Sequence, residues 1–180
     1  RCGQPDAVPA LLDALKSEPD RFLEHALIHA IHRLASEQQL LSALADPDPA
    51  VQRCALLLLD QPPHQSITND AVIARLGAAD EKLRQAAIDI LMQHPEWGDH
   101  AGALLQKWLS APSLSEMQRA AVPSLIVAFQ DQSGMQQLVG TMLRKRELPS
   151  NQLVLLLRSI GQCSLGNLPR SWIDGLSEAT

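Results

Sequence analysis

The chain has 180 residues, 46% apolar and 19% charged, which is enough for a packed core and too apolar for a disordered segment. Its net charge is −5, Lys and Arg are scattered, and aromatic residues are 3% with no Tyr, so the sequence lacks both the basic face and the stacking platform that nucleic-acid binding needs. No apolar run reaches the roughly 18 residues of a membrane span; the longest, "LVLLLRSI" from Leu153, is broken by Arg158.

The chain opens on "RCGQPDAVPALL", with no Met and already in a helical pattern, and reads as a piece of a longer protein. A helix is predicted over 7–15, "AVPALLDAL". The next, "FLEHALIHAIHRL" (Phe22 to Leu34), carries His25, His29 and His32. Their spacing of four and three puts them on one side of a helix, where either a metal or a core would use them. "EQQLLSAL" (37–44) follows.

A repeat then emerges. "LADPDPAVQRCALLLLDQPP" (44–63) aligns without a gap on "LGAADEKLRQAAIDILMQHP" (76–95). Asp48 meets Asp80, Val51 meets Leu83, Ala55 meets Ala87, Leu59 meets Leu91 and Pro63 meets Pro95. Each copy has an Asp cap, a helix with apolar residues three and four apart, and a Pro stop. Weaker copies begin at Phe22, Met117 and Leu153. Second helices are predicted between them at 69–77, 100–109, 134–143 and 170–176. Ser113 to Glu116 reads as a capping box, and Gly134, Pro149, Gly161 and Pro169 punctuate the connections. No Val/Ile/Thr-rich alternation predicts a strand. The chain therefore reads as all-α, about eleven helices in antiparallel pairs that must stack to bury their apolar faces.

"DPDPAVQRCA" resembles the HEAT-repeat signature, an Asp ahead of a Val-Arg-x-x-Ala helix start. The resemblance is close over 37–95 and looser elsewhere, and its units are shorter than the roughly 40–47 residues of long HEAT repeats. It implies a right-handed α-α superhelix of about five helix pairs plus an N-terminal half-unit, with 1–180 as a single domain. "DRFLEHALIHAIHRLA", with "VQRCALLLLDQ" and "HPEW", is similar to the helical segment of large bacterial putative membrane-bound dehydrogenases. There such repeats join a sugar-dehydrogenase-like propeller to a c-type cytochrome domain, which implies an exported or periplasmic protein. None of the residues that would bind haem or substrate lies in this chain.

The register assigns the histidines. His25 takes the place of Cys54 and His29 that of Leu58, on the buried stripe, whereas His32 falls with Gln61 at a polar helix end. Packed, hydrogen-bonded imidazoles are the expectation. A metal- or cofactor-binding face of His25, His29 and His32 is the alternative, without an evident further ligand. The three cysteines, Cys2, Cys54 and Cys163, have no zinc or haem-attachment spacing; Cys54 is expected in the core, and a Cys2–Cys163 disulfide is not. "HPEWGDH" (94–100) groups His94, Glu96, Asp99 and His100, and is read as a helix stop at Pro95, a plug at Trp97 and a cap at Asp99. Pro123 is expected to kink its helix. No phosphate loop, nucleophile elbow or unusual carboxylate pair is present, so no catalytic residue and no cofactor are assigned. The expected function is that of a non-catalytic scaffold. Its partner would be a protein, a neighbouring domain included, met along a polar strip of Gln38, Gln39, Asp70, Arg75, Gln106, Lys107, Gln136, Gln137 and Arg144.

Overall fold

A computed structural model describes residues 7–145 and 148–178. Among them are eleven α-helices and no β-strand, so the chain is all-α as the periodicity requires. The contacts divide it into two compact units. One comprises the residues up to Val72 together with Asp80–Ile90; the other comprises Ile73–Ala79 together with the residues from Leu91 onward.

The first unit holds α1 (Val8–Leu15), α2 (Arg21–Leu34), α3 (Glu37–Ala43) and α4 (Pro49–Asp60). Each start after α1 has a chemical reason. Asp20 Oδ1 accepts the backbone N–H groups of Phe22 and Leu23 at 2.9 Å each, satisfying donors the helix itself cannot. Ser36 and Gln39 form a capping box at α3. Asp48 accepts from Ala50 and Val51 at α4, with Pro49 in the first turn. α2 packs on α1, and α4 packs on both α3 and α1.

Two of the three unit boundaries fall inside α5 (Asn69–Ile73) and α6 (Glu81–Gln93), and the third lies between these helices, after Ala79. Asp80 caps α6 through the Leu83 N–H at 2.7 Å, as Asp48 caps α4. The repeat is also kept in burial. Val51 and Leu83, Cys54 and Ala86, Ala55 and Ala87, Leu58 and Ile90, and Leu59 and Leu91 are all buried. The 69–77 helix is shorter than its apolar pattern, ending at Ile73.

The second unit holds a single 3-10 turn (Pro95–Trp97), α7 (Gly98–Leu109), α8 (Glu116–Ala128), α9 (Ser133–Leu143), α10 (Ser150–Ile160) and α11 (Arg170–Glu178). α9 lies against α7 and α11, and α8 against α10, so alternate helices are spatial neighbours. The α9–α11 approach is close because it is made of glycines. A Cβ on Gly140 would stand 2.5 Å from the Ser171 carbonyl oxygen, and one on Gly175 would stand 2.8 Å from Leu143 Cβ. Trp172 is fully buried there, and its indole N–H donates to the Gln136 carbonyl at 2.9 Å. α8 runs through Pro123 without ending. Its capping box is made by Ser115 and Gln118, not by Ser113 and Glu116. Leu114 is buried, and this puts Ser115, with extended backbone, at the point of entry.

Candidate functional site

The histidine face differs from its register. His25 and His29 are exposed, where the alignment on Cys54 and Leu58 predicted burial. α2 buries Leu27 and Ile31 instead, because it is covered by α1 on one side, whereas α4 is covered by α3 and α1 together. The apolar stripe of α2 is accordingly narrower. His32 is half-buried, and its Nε2 lies 2.7 Å from the Pro62 carbonyl oxygen, so that nitrogen carries the proton and donates. Among the described residues no three His, Cys, Asp or Glu side chains are grouped so as to hold a metal ion.

Beside these histidines lies an ion pair that the sequence reading did not anticipate. Arg53 of α4 reaches Glu24 of α2 through Nη2 and Oε1, with side-chain exposures of 16% and 23%. Burial of this degree separates the pair from a solvated surface contact. The sequence signal was present: Glu24 and Arg53 occupy the same repeat position, so opposite charges stand at equivalent places on two helices. Arg53 Nε is buried without a hydrogen-bond partner. A groove of about 590 Å³ runs beside the pair, lined by Arg21, Phe22, Glu24, His25, Ile28 and Arg53.

A second groove, of about 410 Å³, separates α1 from α3 and is floored by Val8, Leu12 and Val51. Gln38 and Gln39 of the expected strip lie on its rim with Lys16 and Asp46. Lys16 Nζ sits 3.2 Å from Asp46 Oδ2. The Asp48 backbone N–H holds the Asp46 carboxyl below the usual carboxylate range, with Lys16 adding to the effect; Asp46 in turn raises the Lys16 ammonium. Asp70, in the first turn of α5, is exposed.

In the second unit Gln106 and Lys107 on α7, Gln137 on α9 and Arg144 at its C-cap are exposed, α7 and α9 being neighbours. Gln136 has structural duties. Its amide donates to the Gln130 carbonyl, and its own carbonyl receives Ser171 and Trp172. Arg75 is half-buried, and burial pushes its guanidinium below the ordinary value. Arg146, of the basic cluster that begins at Arg144, lies outside the described residues, as does Cys2.

The "HPEWGDH" stretch forms a local clasp. His94 Nδ1 lies 2.6 Å from Glu96 Oε1, and the imidazole stacks on Trp97 at 4.0 Å with planes 6° apart. The hydrogen bond from His94 lowers the Glu96 carboxyl. Gln132 donates to the Pro95 carbonyl at 2.7 Å and pins the turn to the start of α9. Asp99 does not cap α7, because the helix begins a residue earlier at Gly98 and Trp97 occupies the cap position. Cys54 is buried, and desolvation pushes its thiol up to about 12, which leaves no useful thiolate near neutrality. Cys163 is half-buried with its thiol also raised by burial.

Comparison with protein-family models, curated proteins and solved structures returned no match. No helix among the described residues is long and apolar enough to cross a membrane.

Proposed function

We propose that the chain is a non-catalytic scaffold and protein-interaction module built of short HEAT-like repeats. The observation that carries this reading is the equivalence of α4 and α6: the same Asp cap, and the same positions buried, at the offset the repeat requires. Units of that kind bury a shared core through their neighbours and leave polar edges for partners. The contacts of α9 with α7 and α11, and of α8 with α10, are of the sort that stacked helical hairpins make. The titratable contacts Lys16–Asp46, Arg53–Glu24 and His94–Glu96 tie helices and turns together, and open grooves lie beside the first two. The partner proposed is a neighbouring domain of a larger dehydrogenase, with the module as spacer between a propeller-type catalytic domain and a c-type cytochrome domain.

Amide hydrogen exchange of the chain, alone and with each of those two purified domains, tests the reading. The expected result is slowed exchange on α3, α7 or α9, around Gln38, Lys107 and Gln137. Unchanged exchange with both domains removes the spacer. Sugar oxidation by the chain alone, with an artificial electron acceptor, removes the non-catalytic assignment.

A further inference from the structure

α2 has two unlike faces. Leu27 and Ile31 are buried, whereas Phe22, His25, Ala26, His29 and Arg33 lie together on the opposite face and are exposed. Phe22 is 88% exposed and Leu23, at the edge, 51%. The repeat shows what this face is equivalent to. Phe22, His25, Ala26 and His29 occupy the positions of Val51, Cys54, Ala55 and Leu58 on α4, which are 2% exposed or less beneath helices α3 and α1. Their counterparts on α6, Leu83, Ala86, Ala87 and Ile90, are buried too. A position that takes a helix elsewhere in the chain is open on α2.

The chemistry of the face says which helix. Its charged residue is Arg33, its centre holds two imidazoles, and Arg21 stands at the edge beside the groove that Phe22 and Ile28 line. It carries no carboxylate. The single acidic residue of α2, Glu24, is turned to Arg53, and Asp20 is held by the backbone N–H groups it caps. A basic, aromatic-tipped face on a chain of net charge −5 is complementary to an acidic partner. It is not complementary to itself, because an antiparallel two-fold pairing centred between His25 and His29 would set Arg33 against the other copy's Arg21. It is also too polar at its centre for a helix that lies in a membrane interface.

We propose that the exposed face of α2 docks an amphipathic helix of another protein, whose aliphatic stripe covers Phe22 and Ala26 and whose flanking Asp and Glu meet Arg21 and Arg33. This rests on the interaction-module reading and names its partner class. The test uses the full chain and two fluorescent helical peptides of about 18 residues, five turns. Both carry the same Leu/Ala stripe, one flanked by Glu and the other by Lys, and binding is read by anisotropy. The Glu peptide is expected to bind and the Lys peptide not to. Phe22→Ala is expected to weaken binding about tenfold. Arg21→Glu/Arg33→Glu should abolish it, and added salt should weaken it. These side chains are exposed, and an unchanged circular dichroism melt confirms that the variants fold. Equal binding of both peptides, no binding of either, or indifference to Phe22→Ala overturns the proposal. So does flotation with phosphatidylglycerol vesicles that depends on Phe22, or a dimer in sedimentation that Phe22→Ala dissolves. Binding that survives Phe22→Ala but is lost in Lys107→Glu/Gln137→Glu also sinks it, while leaving the interaction module standing.

Discussion

Arg53 and Glu24 show at single-residue scale how this chain handles charge in a packed setting. Two mostly buried ions hold each other, and removing one strands the other in a poor solvent. Glu24→Gln or Arg53→Met alone is expected to cost about 1–3 kcal/mol, between the values for exposed and fully buried pairs. Glu24→Leu with Arg53→Met should cost less than the sum of Glu24→Leu and Arg53→Met made separately, because nothing is then left unpaired. A urea double-mutant cycle measures this, and strict additivity would show the two groups to be independent. Asp46 gives a pH signature. Its carboxyl is held below the ordinary value near about 4 by the Asp48 N–H and by Lys16. A depressed pKa means that stability is present above that value and lost as pH falls through the lower, folded one. Asp46→Asn, which keeps an acceptor for Asp48, should therefore flatten the fall of melting temperature as pH drops below about 4. An unchanged slope would assign acid sensitivity elsewhere. At this scale the sequence was only partly legible. Asp20, Asp48 and Asp80 announced their helices because a cap acts within three residues. His25 and His29 were misplaced because the burial of a helical residue depends on which helices cover it, and nothing local to α2 encodes that.

At the scale of elements, the contact of α9 with α11 is the most constrained. Gly140 and Gly175 allow the two backbones to approach where any side chain would collide with a carbonyl oxygen or with Leu143. Both glycines lie inside helices, where each costs about 1 kcal/mol relative to Ala. Gly140→Ala would regain that propensity and still destabilise the second unit, because the obstructing atom is the Ser171 backbone and cannot swing aside. The expected net loss is about 1–3 kcal/mol, read as a lower denaturation midpoint by tryptophan fluorescence, with Trp172 buried in the same contact. A gain in stability would mean that α11 shifts outward at little cost. An interior glycine in "GMQQLVGTML" and another in "RSWIDGL" were the available signals of close approach. Helix existence was legible throughout, since the 3.6-residue apolar period survives in every element. The ends were less so. The 69–77 pattern stops at Ile73, and the α8 cap lies at Ser115, because buried Leu114 sets where the chain turns in.

Over the molecule as a whole, burial is uneven, and local stability should follow it. In the first unit α4 buries six residues, Val51, Cys54, Ala55, Leu56, Leu58 and Leu59, whereas the longer α2 buries only Leu27 and Ile31. In the second, α8 and α9 carry the core with Val122, Leu125, Met135 and Val139. An amide reopens to solvent when the packing above it yields, so the helix with the thinnest cover exchanges first. Native-state exchange is therefore expected to be slowest on α4 in one unit and on α8 and α9 in the other. The amides of α2 should exchange at least about tenfold faster than those of α4. Binding of an acidic helix to Phe22 and His29 would narrow that gap, because it would give α2 the second cover that α3 and α1 together give α4. Equal protection of α2 and α4 in the free chain would mean that α1, with the Arg53 and Pro62 contacts, suffices to hold α2, and that its open face costs it no stability.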